Sequence, residues 1–311
     1  MIGLRKFLKF SLIALVSCSA SPQERILKDK SSQRALIPLR ANNLAGQYDY
    51  KSPSATYVLD AKLEEISGLA YNELDNTFLA NDDESGNFYV LSSTDLSIIE
   101  EIKFSKKGDF ESIEKVGDDI IIGKNTGTFY FYNLITKTAA QYKTELKAKN
   151  DVEGSCYFES EHALLIACKG QSLQTQKGEK KKKSIYSFDL KNKTLDSQPF
   201  LTINDEMLIS HIEKHYVSES ISKLRKLKNR AKEHAPSGIA IHPRSGEYYI
   251  VSARGSTLVV LDNNKVFKEI NFLNSRIIPQ PEGICFDKNG NLFIATEGQG
   301  FSGKVFKFET K

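Results

Sequence analysis

The chain has 311 residues, 43 lysines and arginines against 39 acids, and a net charge of +4. So balanced a charge provides no field for nucleic acid, and four cysteines in a chain this long do not make a disulfide scaffold.

The N-terminus predicts an address. Arg5, Lys6 and Lys9 precede a short apolar run, Phe10 to Val16, which is too brief to span a bilayer. The run ends at Leu15-Val16-Ser17-Cys18, which resembles the bacterial lipobox. This predicts a signal peptide over 1–17 and diacylglycerol on the Cys18 thiol. Cleavage there removes three positive charges and leaves the chain near +1. Residues 18–46 then form the lipidated anchor and a polar, pattern-free tether with a reach of roughly 30 Å. The expected location is the bacterial envelope, on the outer membrane or its periplasmic face.

From about residue 47 one domain follows. A short phrase recurs at Ile66-Ser67-Gly68-Leu69, Phe110-Glu111-Ser112-Ile113, Val152-Glu153-Gly154-Ser155, Ser237-Gly238-Ile239 and Glu282-Gly283-Ile284. Counted from the glycine (Ser112 in the second copy), the steps are 44, 42, 84 and 45 residues. Strand-rich repeats of ~40–50 residues are propeller blades. The first unit predicts strands at 65–71, 77–82, 87–92 and 97–104, and the third at 152–158, 163–168, 184–190 and 197–203. Residues 205–234 are polar and helical, so the double step reads as an insertion. The fold expected is an all-β, five-bladed propeller, with six blades as the alternative. The last unit has strands at 282–287, 291–296 and 303–309, around the turn Lys288-Asn289-Gly290-Asn291. Its fourth strand is expected from 56–60, which removes an exposed sheet edge.

Candidate site residues follow from the hairpin between the first two strands of each blade. A straight register pairs Ser67 with Asp82, Glu111 with Asn125, Glu153 with Lys169, Ser237 with Arg254, and Glu282 with Glu297. These pairs would ring one mouth of the central channel with a net charge of minus three. Two facing carboxyls must share a proton, take up a cation or point apart. Asp82, Glu111, Glu153, Glu282 and Glu297 are therefore the expected metal- or ligand-binding set, with calcium the fitting hard cation. Ser67, Asn125, Lys169, Ser237 and Arg254 complete the rim. The alternative is a structural ion pair, Glu153–Lys169, among solvated rim residues.

Cys156 and Cys285 lie two residues beyond the repeat glycine, where other copies have Ala70 and Ala240, and read as small buried hydrophobes. Cys168 is placed near 153–154, out of register for a disulfide. In the insertion, Ile221, Leu224 and Leu227 form an apolar stripe among basic residues, and His211 and His215 lie one turn apart without the spacing of a zinc protease.

The phrases Ile66-Ser67-Gly68-Leu69, Asp109-Phe110-Glu111-Ser112-Ile113, Glu153-Gly154 and Gln280-Pro281-Glu282-Gly283-Ile284-Cys285-Phe286-Asp287 resemble the SdiA-regulated family of bacterial envelope propellers. A remoter likeness is to phytase-like, esterase-like and lactonase propellers, whose metal ligands include a glutamate before glycine. Glu153 and Glu282 match that feature, and Glu111 does so with serine following. The first resemblance implies the propeller fold and an envelope location. The expected function is a monomeric, lipid-anchored module binding a ligand, envelope protein or glycan. The alternative is a calcium-dependent hydrolase of phosphoester or ester bonds, in which the cation would activate water.

Overall fold

A computed structural model describes residues 47–174 and 183–311. Cys18, the expected signal peptide and the tether lie outside the described residues. Strands fall into five antiparallel sheets, each one blade. Blade 1 comprises Ile66–Asn72, Thr77–Asp82, Asn87–Ser92 and Ile98–Lys103. Blade 2 comprises Phe110–Val116, Asp119–Lys124, Thr128–Asn133 and Thr138–Lys143, and blade 4 Gly238–Ile241, Tyr248–Ser252, Thr257–Leu261 and Phe267–Phe272. In blade 5, Ala55–Val58 pairs outside Lys304–Phe308, so the chain's early strand closes the ring as expected, shifted one to two residues from 56–60.

Blade 3 departs from expectation on its outer edge. Val152–Phe158, Ala163–Cys168 and Lys183–Asp189 are followed by two short strands, Thr194–Leu195 and Leu201–Ile203, where one strand over 197–203 was expected. Pro199 lies in the break; its ring lacks the N–H a continuous strand would donate.

The insertion forms two helices, α1 (Asp205–His215) and α2 (Ile221–Lys232). Asn204 caps α1 by accepting from the Met207 N–H at 2.9 Å, and Ser220 caps α2 through Lys223. Leu208, Ile212, Leu227 and Ala231 are buried against the seam between blades 3 and 4. Arg230 fixes α2 by donating to the carbonyls of Gly255, Ser256 and Leu273 at 2.7–2.8 Å. Of the expected apolar stripe, Leu227 is buried and Leu224 packs at the edge, while Ile221 is 80% exposed. Ile221 opens the helix, one turn before the face that reaches the blades.

Elsewhere the blades meet through aromatic and aliphatic layers. Phe104, Phe110 and Tyr130 pack edge to face between blades 1 and 2, and Tyr48, Tyr249, His242 and Phe286 between blades 4 and 5. Cys156, Cys168 and Cys285 are free and buried, and Cys168 pairs with Val152 rather than 153–154. No helix among the described residues is long and apolar enough to cross a membrane.

Candidate functional site

The recurring glycine draws the innermost strands together around the axis. A Cβ on Gly154 would lie 2.8 Å from Gly238 Cα, and one on Gly238 would lie 2.2 Å from the Glu282 carbonyl oxygen. No other residue permits those approaches. Blade 2 has Ser112 instead, and its hydroxyl accepts from Ser155 Oγ of blade 3 at 2.9 Å. The strand starts of all five blades line one channel that is almost shut, with about 10 Å³ of free volume. That is room for about one water.

The residue before the glycine is what the channel mouth displays. In blades 1, 2, 3 and 5 the ladder shifts at this point: Ile66 pairs with Asp82 and Gly68 with Asn81, and likewise Phe110 with Lys124, Val152 with Cys168, and Pro281 with Thr296. Ser67, Glu111, Glu153 and Glu282 are thus the extra residue of a β-bulge, lifted off the ladder and re-aimed. Four of the five expected pairs fail, the one in blade 1 through the bulge alone. In blades 2 and 5 Ser112 also faces Gly123 and Ile284 faces Ile294, one residue off the expected ladder. In blade 4 Gly238 faces Val251, two residues off with no bulge. Asp82 turns to its own loop, accepting from the Glu84 and Ser85 N–H groups and the Ser85 hydroxyl. Asn125 donates to the Asp109 carboxylate. Arg254 is exposed, and Ser237 Oγ donates to the Pro281 carbonyl at 2.5 Å. Glu297 accepts from Gln280 Nε2 at 3.1 Å, and Pro281, not Glu282, faces Thr296 across the ladder.

One pair is realised. Lys169 Nζ donates to Glu153 Oε2 at 2.9 Å, with both side chains largely buried. Glu111 and Glu282 line the same channel. Burial raises Glu282 to about 8; Lys169 pulls it back, while Glu153 and Glu297 add to the rise. Glu153 is raised to about 7 by burial against the pull of the same ammonium. Glu111 reaches about 10 through burial, the Glu153 charge and a hydrogen bond with Asp109. Burial pulls the Lys169 ammonium down, and Glu153 and Glu282 outweigh it and raise it. Among the described residues the mouth therefore holds three carboxyls against one cation, and Glu111 and Glu282, raised to about 10 and about 8, keep a proton at neutral pH.

Asp82 and Glu297 belong to a separate acidic group on the rim between blades 1 and 5. Its centre is Asp83, raised to about 7 by burial, with Glu65, Glu84, Asp82 and Glu297 adding to the rise. Among the described residues no three Asp, Glu, His or Cys side chains converge closely enough to hold a metal ion, so the five-carboxylate calcium set is not assembled. His211 and His215 stack with ring centroids 4.3 Å apart, and His211 meets the Phe267 ring edge-on at 5.2 Å.

Two functional neighbours escaped the sequence reading. Asp109 lies just ahead of the strand, two residues before Glu111, and hydrogen-bonds with it. Glu114 occupies the Ala70, Cys156, Ala240 and Cys285 position of blade 2. Its carboxylate accepts the Tyr157 N–H at 2.8 Å, and burial raises it to about 7.

The class is a five-bladed β-propeller with an acidic, lysine-bridged channel mouth. The chain belongs to the SdiA-regulated family, whose model matches residues 47–303. Among solved structures it is similar to glutaminyl cyclase from Myxococcus xanthus, with a TM-score of 0.53 and 11% identity over 84% of this chain and 96% of that one. Virginiamycin B lyase from Staphylococcus aureus matches at a TM-score of 0.44 and 12% identity, over 81% of this chain and 69% of that one. A luciferin-regenerating enzyme matches at 0.47 and 10%, over 84% and 97%. Identities this low show the fold alone. No curated protein matches the sequence.

Proposed function

We propose that this chain is a lipid-anchored binding module of the bacterial cell envelope, held by acyl chains on Cys18, whose channel mouth takes a cationic group from a ligand or partner. The observation that supports the site is the trio Glu111, Glu153 and Glu282, raised on β-bulges around a throat nearly closed to water, with Lys169 as their one cation among the described residues. Desolvated carboxyls in excess over cations favour a second positive charge. The throat admits only a small head, such as a primary ammonium on an amine or on a lysine side chain. Two or three acyl chains would hold the module on the membrane firmly.

Calorimetry of the full chain with a diamine, with lysine amide and with calcium tests the site. Two of the mouth carboxyls hold protons at neutral pH, so a bound cation must displace them, and the apparent binding enthalpy should change with buffer ionisation heat. Absence of heat and of any rise in melting temperature with all three probes would remove the binding reading. Calcium alone producing the response, followed by activity on a phosphoester and ester panel, would favour the hydrolase alternative. Mass spectrometry of the mature chain tests the anchor independently: a lipid-modified N-terminus at Cys18 is expected, and an unmodified mature terminus elsewhere would refute it.

A further inference from the structure

A second cavity lies at the other end of the propeller. Inner strands start at the mouth, so the turns that end them mark the opposite face. There, at the seam of blades 5 and 1, a cavity of about 150 Å³ opens between Tyr57, Tyr71, Phe78 and Phe293. Phe78 and Phe293 lie buried beneath it, with ring centroids 4.7 Å apart. The aromatic surface left to the cavity is that of the half-buried Tyr57 and Tyr71, the Tyr71 ring 5.2 Å from Phe78. None of the mouth residues takes part.

The walls are polar without net charge. Tyr71 donates to Asn76 Oδ1 at 2.7 Å, and Asn76 Nδ2 donates to Ser93 Oγ at 2.9 Å, which leaves the Ser93 hydroxyl proton free to donate. The Tyr57 hydroxyl and the Asn289 side-chain amide have no hydrogen-bond partner among the described residues, although both line the cavity. The two charged lining groups are engaged elsewhere. Asp287 accepts from the N–H groups of Asn289 and Asn291 and from the Asn291 side chain at 2.7–2.9 Å. Lys307 donates to Glu309 at 2.8 Å.

Half-buried tyrosine rings beside neutral donors and acceptors suit a ring with one apolar face and several hydroxyls. The volume falls below the ~300–1,000 Å³ of pockets for drug-sized ligands, so it fits one ring and not a chain of them. We propose that this cavity is a saccharide site that takes one neutral pyranose unit. The ring's C–H face lies on the aromatic walls, and its hydroxyls bond to Tyr57, Ser93 and Asn289. Because Tyr57 belongs to Ala55–Val58, the strand that closes the propeller, an occupied site also clamps that closure.

The test is ligand-observed NMR on the full chain with glucose, galactose, mannose, N-acetylglucosamine and N-acetylgalactosamine, with glucosamine and glucuronate as charged counterparts. Saturable binding of at least one neutral sugar is expected, stronger than that of either charged sugar. Asn289→Ala and Tyr57→Phe should each weaken it about three- to tenfold, the loss of one hydrogen bond. Tyr57→Phe keeps the ring and so guards against a folding artefact. Hydrogen exchange should slow at residues 55–58 and 304–308 when the sugar is bound. Failure of every neutral sugar to bind, preference for a charged one, or binding that both variants leave unchanged would each overturn the proposal.

Discussion

Blades 1 and 4 and blades 2, 3 and 5 use the same repeat position in opposite ways. Ser237 of blade 4 ties its blade to the next, donating to the Pro281 carbonyl and accepting from the Ala253 N–H at 3.2 Å. Ser67 of blade 1 is buried at the channel wall with no partner among the described residues. Glu111, Glu153 and Glu282 occupy the equivalent place in the other three blades and bring desolvated, titratable carboxyls to the axis. A propeller needs only a small residue there to close. The three carboxyls are therefore a cost to stability that closure does not require, and that cost makes them the candidates for the binding site proposed above. If that contrast holds, altering the charged set should move stability strongly and with pH, while altering the serines should move it weakly and without pH dependence.

The largest effect belongs to Lys169. Lys169→Met leaves Glu153 and Glu282 buried with no counter-charge, and breaking a buried pair from one side costs about 3–5 kcal/mol. A loss toward the lower end is expected at pH 7.5, because Glu282 already holds a proton there for part of the time. At pH 5 both carboxyls lie well below their raised pKa values and stay protonated, so the deficit should shrink. Denaturant unfolding at the two pH values measures it. Equal losses at both would mean that Lys169 contributes packing, and the charge contrast between blades would fail.

Next in size is Glu114, the one carboxyl that blade 2 places below the mouth. Its pKa in the folded state is about 7 against an ordinary 4.5, raised by burial despite the Tyr157 N–H. The folded chain binds this proton more tightly than the unfolded chain. The stability it contributes is full below about pH 4.5 and is lost as pH rises through 7. Glu114→Gln keeps an oxygen for the Tyr157 N–H and has no charge to desolvate. It should stabilise by about 1–3 kcal/mol at pH 8 and make little difference at pH 4. A variant no more stable than the parent at pH 8 would show that Glu114 reaches solvent through the channel.

The ring was legible because its signal is a spacing. The glycine phrase survives in all five blades, with Ser112 as its one departure, since backbone approach at the axis leaves room for little else. The closing strand was legible from arithmetic: the last unit lacks one strand, and Thr56-Tyr57-Val58 is the apolar segment without a partner. The mouth was half legible. Glu111, Glu153 and Glu282 stand out by repeat position, yet their partners depend on a bulge, which adds one residue to one strand and leaves no trace in the hydrophobic pattern. Asp82 was lost for that reason, and Glu297 also because the blade 5 ladder runs one residue off the expected register. Lys169 survived because a long, flexible side chain tolerates the shift that the short Asp82 does not.

The smallest effects separate the two serines. Ser237→Ala removes the hydroxyl that bonds Pro281 and leaves the Ala253 N–H without its acceptor, so a loss of about 1–1.5 kcal/mol is expected. Ser67→Ala removes a hydroxyl that faces the channel and bonds to no described residue, and should change stability by less than about 0.5 kcal/mol. Neither change should depend on pH between 5 and 8, because neither hydroxyl titrates there. Paired melting curves at pH 5 and 8 read both quantities at once. A Ser67→Ala loss as large as that of Ser237→Ala would mean that Ser67 also ties blade 1 to its neighbour through ordered water. A pH-dependent loss at either position would mean that the serines shape the carboxyls' environment, and the division between closing blades and charged blades would no longer hold.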